Sequence, residues 1–503
     1  MAHIEENYTD NIENGKSETK NLVEVVYKPT VTPTENGNNL LKSENTSRES
    51  ACWFLHWAAI TADVPLFAAG IGMSWTSPII PKLHGEENPF GRPVTTAEEA
   101  WIAAFTPLGS AIGPLAAGYC ADKLGRKKAL LALAIPMVVG FLVLAGADQI
   151  SLYYLARFLL GLGAGSAFAV VPMYVSEISQ PHNRGKYGSA MGVLITLGII
   201  YPFSIGPHLS IPIYSISCAI PLVIFLIIFS IFMPESPYYL VAKGELDQAN
   251  RALAKLRRTG SNTSAELSEI KQGVEEEKAH TAGIKALFIS APGRKALFIS
   301  MGLVALQQFA GINPLLSFLK TIYEAAGSTI PPNYCTIITG SVQVLSNTAC
   351  VFMVEKMGRK LLLLICCVFC FLAMLVLGIY FWLKSNNFDV ESVFWLPITC
   401  LIVYMLVFSF GLGPLPWTVM GEIIPSNVKG IGSAISSTTS FLTACLVTFL
   451  FPIISEALGM AGGFWLFAFF CFIGYFFIYF VLFETKGKSL AEIQRLLQNG
   501  TTS

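Results

Sequence analysis

The sequence predicts an all-α membrane protein, with twelve transmembrane helices in two parallel-repeat six-helix bundles. Three observations lead there. Only 13% of the 503 residues are charged and 53% are hydrophobic, whereas a soluble domain carries about 25% charged residues. Many apolar runs reach the ~20 residues that cross a bilayer core about 30 Å thick. Three charged motifs in the first half of the chain recur, in the same order, in the second.

Residues 1–50 are polar and are expected to form a disordered cytosolic segment. The first bundle, 51–233, holds spans at 53–80, 98–121, 128–146, 151–175, 186–208 and 212–232. A cytosolic linker, 234–293, follows; its stretches 244–258 and 265–279 read as short surface helices. The second bundle, 294–484, holds spans at 296–322, 334–354, 361–384, 393–420, 430–457 and 463–483, and 485–503 is a cytosolic tail. No cleavable signal peptide is expected, because the first apolar run starts late and lacks a small-residue cleavage site.

Zero net charge gives no reason to expect a nucleic-acid partner. Cys366, Cys367 and Cys370 lie in an apolar run with no His or acid beside them. They read as small packing residues, and neither a metal nor a cofactor is expected. Orientation follows from Lys and Arg near the span ends. With both termini cytosolic, the inner short loops hold Lys123, Arg126, Lys127, Lys128, Arg184, Lys186, Lys356, Arg359, Lys360 and Lys429. The outer side holds Lys82, Arg92, Lys320 and Lys384. The sequons at Asn7, Asn45, Asn262 and Asn499 then all face inward and are expected to stay unglycosylated.

The repeat is explicit. "ADKLGRKK" places Asp122 four residues before Arg126, and "VEKMGRK" places Glu355 four before Arg359. "EISQPHNRG" (Glu177, Arg184) matches "EIIPSNVKG" (Glu422, Lys429), and "MPES" (Glu235) matches "FETKG" (Glu484). The offsets are 233, 245 and 249 residues. Such parallel repeats are a known transporter architecture. The charges read as a latch: Arg126, Glu177, Arg184 and Glu235 in one half, with Arg359, Lys429, Glu422 and Glu484 in the other, closing the inner side. Exposed ion pairs contribute ~0.2–1 kcal/mol each, which suits a gate that opens every cycle. Topology signals with solvated charges are the alternative.

Two glycine runs, "RFLLGLGAG" (157–165) and "FGLGPLPW" (410–417), occupy the fourth span of each half. Lying inside membrane helices, they cannot be a dinucleotide fingerprint, which needs a preceding strand. Small residues allow close helix approach, and Pro414 with Pro416 expose backbone where a cavity is lined; Trp417 follows. The stretch "LVALQQFAGINPLLSFLKTIY" places Gln307, Gln308 and Asn313 in an apolar span, next to Gly311 and Pro314. Amides in hydrocarbon are costly unless satisfied. Three together point to a polar mid-membrane cavity for a neutral solute, because amides donate and accept as hydroxyls do; interhelical glue is the alternative. Asp63 and Arg157 are charges inside spans one and four. They read as a proton-coupling pair or as a structural one, with a place for Asp63 near the inner interface as the third alternative.

From about residue 55 to 495 the chain resembles the sugar-porter family of the major facilitator superfamily. "GYCADKLGRKK", "RFLLGLGAG", "PESPYYL", "QQFAGIN", "VEKMGRK", "GLGPLPW" and "ETKGKSL" carry the likeness. "TSP" at 76–78 and "FSFGLGPLPW" at 408–417 look most like the insect trehalose-transporter branch. The resemblance implies the major facilitator fold, alternating access without covalent chemistry, and solute contacts from Gln307, Gln308, Asn313, Gln343 and Trp417. It adds Ile195, Ile199 and Phe441 to the solute-contacting set. Gly192 stands where the family often has glutamine, Ser440-Phe441 where it has Asn-Trp, and Ser317-Phe318 where it has a tyrosine pair, so Phe318 is expected at the outer gate. Gly72 stands where proton symporters carry aspartate, which favours uniport. The expectation is a monomeric plasma-membrane carrier that moves a hexose, trehalose or related glycoside across the lipid bilayer. A proton-coupled symporter and a non-transporting nutrient receptor are the alternatives.

Overall fold

The computed structural model describes residues 53–180, 182–257, 262–280, 284–327, 330–488 and 490–499. The polar segment 1–50 lies outside them. Ten helical stretches among the described residues are long and apolar enough to cross a membrane. The last, Lys429–Val481, is two helices meeting at Gly459 (φ 74°), and Pro332–Met357 is a further 26-residue helix. The described residues therefore hold the twelve spans of the major facilitator fold. Spans one to six are Trp53–Leu83, Thr96–Leu124, Arg126–Gly146, Ile150–Ile178, Arg184–His208 and Ile211–Phe232. Spans seven to ten are Ala291–Ala326, Pro332–Met357, Arg359–Ser385 and Glu391–Ile423; eleven and twelve precede and follow Gly459.

Each half buries its own apolar core. One is built on residues such as Leu66, Phe141, Leu160 and Phe225, the other on Leu315, Leu377, Tyr404 and Phe464. The second core also takes in Ile80, Ala103, Ile199 and Phe203 from the first half, so apolar packing joins the halves. Outward-facing positions stay apolar: span six exposes Ile213, Ile216, Ile220, Ile224 and Ile227, a stripe that suits lipid, and the Ser217 carbonyl that Pro221 frees accepts from the Tyr201 hydroxyl of span five at 3.4 Å. The linker forms helices Leu246–Leu256 and Thr263–His280. Ala249, Leu253, Ile270 and Val274 give it a small core of its own.

The lysine- and arginine-rich loops gather on one face, called the basic face below. On the opposite face the halves meet. The Lys320 backbone N–H of span seven donates to Ser77 Oγ of span one at 3.1 Å; Phe318, two residues before Lys320, is buried against Phe451 of its own half, the rings 5.9 Å apart.

Three spans are interrupted. Span one is divided into three helices at Asp63 and Trp75. Span seven breaks at Gly311, whose φ of 95° is left-handed. A Cβ there would also run into the Phe467 ring, so both conformation and packing demand glycine. Span ten breaks between Phe410 and Leu415. These interruptions place polar groups at mid-membrane.

Candidate solute-binding site

A cavity of about 360 Å³ lies between the two halves, within the ~300–1,000 Å³ range of small-molecule sites. Its lining includes all eight residues expected to contact solute: Gln307, Gln308, Asn313, Gln343, Trp417, Ile195, Ile199 and Phe441. The two glutamines are alike in sequence and different in use. Gln307 donates from Nε2 to the Gly413 carbonyl at 2.5 Å and accepts at Oε1 from Trp417 Nε1 at 3.1 Å. Its amide thus ties span seven to the break in span ten. Gln308 donates from Nε2 to Ser440 Oγ at 3.0 Å and to Gln307 Oε1 at 3.4 Å, and its Oε1 accepts from Asn313 Nδ2. Apart from the Ser440 hydroxyl, its partners are other cavity-lining amides. A solute hydroxyl can replace these bonds one for one.

The freed carbonyls of the broken helices find partners. Pro314 removes the N–H that would reach the Ala310 carbonyl, and the Tyr404 hydroxyl donates to that carbonyl at 2.9 Å. Pro314 itself sits in the first turn of Ile312–Ala326, where its missing donor costs nothing. In span ten Pro414 leaves the Phe410 carbonyl free, and Cys350 Sγ reaches it at 3.0 Å. Cys366 Sγ donates to the Val407 carbonyl at 3.2 Å, so Cys366 is more than packing. An unsatisfied carbonyl inside a bilayer costs several kcal/mol. These side chains are what make the breaks tolerable.

On the basic face the repeated motifs build the same arrangement twice. Arg126 Nε and Nη2 both lie 3.0 Å from Glu177 Oε1, and Arg359 Nη2 lies 3.0 Å from Glu422 Oε1. Glu235 accepts from the Lys127 and Ser236 backbone N–H groups at 3.0 and 2.9 Å, capping span three. Glu484 accepts from those of Arg359 and Lys360 at 2.9 and 3.0 Å, capping span nine. A carboxylate at a helix N-terminus meets unpaired donors and the positive end of the dipole. Gly125 (φ 97°) and Gly358 (φ 87°) precede these helices, and a Cβ on either would strike the Glu235 or Glu484 carboxylate. Burial pulls the Glu484 carboxyl up, but the N–H groups of Lys486, Arg359 and Lys360 outweigh it and hold the group below its ordinary value.

These pairs lie within a half, not across the halves. Asp122 reaches Arg126 at 3.7 Å; Arg184 is exposed, with the Tyr238 hydroxyl 3.4 Å from Nη2, and Lys429 is exposed. The Glu355 side chain lies outside the described residues.

Asp63 and Arg157 do not form an ion pair. Arg157 is buried beside the cavity and donates from Nε to the Ile102 carbonyl at 2.9 Å and from Nη1 to the Gly72 carbonyl at 2.7 Å. It staples spans one and two to span four. Asp63 is fully buried nine residues before Gly72, and neither carboxyl oxygen has a hydrogen-bond partner.

The family described as "Sugar (and other) transporter" matches residues 34–497. The facilitated trehalose transporter Tret1 of Bombyx mori is 32% identical over 91% of this chain and 90% of its own. The chain belongs to the sugar transporter family. This sugar transporter is thus a membrane carrier rather than an enzyme. It is also 33% identical to the Tret1 of Aedes aegypti, over 88% of this chain and 55% of that protein, so it spans about half the length of that relative. Among solved structures, the inward-open xylose transporter XylE from E. coli superposes with a TM-score of 0.74 at 21% identity, over 88% of this chain and 99% of that one. The human organic anion transporter MFSD10 gives 0.55 at 16% identity, over 84% and 99%. Both likenesses concern the fold.

The transporter's cavity also holds residues that sequence reasoning missed. Asn347 of span eight lines it, one helical turn beyond Gln343; that spacing was the available signal. Phe168 of span four lies 5.9 Å from Phe441, which lies 6.4 Å from Trp417, so an aromatic series crosses from one half to the other. Nothing in "SAFAVVP" distinguishes Phe168 from an ordinary packing residue.

Proposed function

We propose that the protein moves a neutral sugar, a hexose, trehalose or related glycoside, down its own gradient by exposing the central cavity alternately to the two faces. The basic face is cytosolic, both termini are inside, and the membrane is the plasma membrane. The observation that carries this reading is the amide set Gln308, Asn313, Gln343 and Asn347 in a cavity between two repeated bundles. Among the described residues its lining has no carboxylate, and its one cation, Arg157, gives two nitrogens to backbone carbonyls. Such a lining favours hydroxyls over ions. The trehalose transporters among its relatives support the disaccharide. The duplicated charge sets keep each half rigid, which rocking of the halves requires. Uptake of labelled glucose, trehalose and a glycoside into vesicles holding the pure protein tests the proposal: saturable equilibration of one of them is expected, and no uptake of any would refute it.

Asp63 favours a second reading, proton-coupled symport. An unpaired buried carboxylate is expensive, and binding a proton would relieve the cost. Accumulation against the sugar gradient, lost when the pH difference is collapsed, would establish it. Equilibration alone would dismiss it.

A further inference from the structure

The cavity's two walls differ in chemistry. From the second half come Gln308, Asn313, Gln343 and Asn347. The side chains of Gln343 and Asn347 make no hydrogen bond among the described residues, so their amide donors and acceptors are open to a solute. From the first half come Met73, Ala103, Phe168, Gly192, Ile195 and Ile199. The hydroxyl protons that wall possesses are already engaged. Thr106 Oγ1 donates to the Arg157 carbonyl at 3.1 Å, Ser110 Oγ to the Gly161 carbonyl at 3.0 Å, and Thr196 Oγ1 to the Val193 carbonyl at 2.9 Å. Arg157 gives Nε and Nη1 to backbone carbonyls, so only its Nη2 is left as a donor on that wall.

A free hexose carries hydroxyls around its whole ring. Those turned toward Ile195, Ile199 and Met73 would leave water and find no donor. Each such loss weakens binding roughly tenfold. A solute with hydroxyls at one end and hydrocarbon at the other meets both walls.

Resting on the sugar-carrier reading, we infer that the preferred solute is a glycoside with an apolar, ring-sized aglycone. Its sugar faces Gln308, Asn313, Gln343 and Asn347, and its aglycone lies against Ile195, Ile199 and Phe168. Gly192 helps to leave the room: a Cβ there would meet Asn347 Nδ2 at 2.9 Å. Burying a phenyl-sized aglycone on this wall should strengthen binding at least about tenfold over a methyl aglycone.

The test uses the full chain in nanodiscs with radiolabelled phenyl β-glucopyranoside, displaced by methyl β-glucopyranoside, unlabelled phenyl β-glucopyranoside or phenol. The methyl glycoside should need at least about ten times the concentration of the phenyl one, and phenol should not displace. Ile195→Gln and Ile199→Gln should narrow the ratio to about threefold or less, with Ile195→Val as the conservative control. Equal potency of methyl and phenyl glycosides in the native protein overturns the inference, as does displacement by phenol alone. A ratio untouched by the glutamine variants does the same. The native competition stands even where a variant fails to fold. Parallel vesicle uptake separates the two levels: glucose or trehalose carried without aryl preference sinks this inference alone, whereas no binding or uptake of any sugar sinks the carrier reading with it.

Discussion

Gln307 and Gln308 are adjacent, and alanine at each should fail in a different way. Gln307→Ala strips the Gly413 carbonyl and the Trp417 indole N–H of their partner. Interhelical bonds in membranes average about 0.6 kcal/mol and reach ~1.7, so two lost together cost about 1–3 kcal/mol of stability. Gln308→Ala leaves Asn313 beside a cavity, where water can serve it, and the space vacated extends that cavity toward the buried Ser440 hydroxyl, so its stability cost should stay below ~1 kcal/mol. The solute, however, loses a donor and an acceptor at about 0.5–1.5 kcal/mol each, a fall in transport efficiency of roughly 5- to 150-fold. The assay is uptake into vesicles normalised to reconstituted protein, beside the thermal midpoint of each purified variant. Gln307→Ala should lower the midpoint and Gln308→Ala the normalised uptake. If both variants lose uptake only in proportion to folded protein, the amides are structural and the division of roles is wrong.

Three further outcomes are expected. Gly125→Ala and Gly358→Ala force a side chain into a glycine-only conformation against a carboxylate; each should cost ~1–3 kcal/mol, read as lower yield and thermal midpoint, whereas Gly118→Ala, which meets open space, should be neutral. Glu484 is held below its ordinary 4.5, so its contribution is fully present above that value and is lost as pH falls through the lower, folded-state value; Glu484→Gln should flatten that acid-side loss of thermal stability, and an unchanged profile would count against the cap. Ser77→Ala removes the bond to Lys320 across the halves, worth about 0.6 kcal/mol; amide exchange in the segment Ile312–Ala326 should rise about threefold, and no change would mean that apolar packing alone closes that face.

Much of this protein follows from the chain read in order. Span length is a local property: an apolar run of sufficient length has no stable place except the bilayer, so the twelve spans agree with the helices to within several residues. The duplicated motifs are local as well, and so is the cost of the amides between Gln307 and Asn313. What the sequence left open depends on residues far apart in it. Tyr404 caps a carbonyl 94 residues away, Cys350 one that is 60 away, and Gln308 meets Ser440 at a separation of 132. Only folding fixes whether Arg126 pairs within its half or across to the other, because both partners lie on the same face and carry the same charge. The same holds for the two walls of the cavity: a threonine or serine looks polar in sequence, and its hydroxyl is withdrawn only when a neighbouring helix or turn offers a carbonyl.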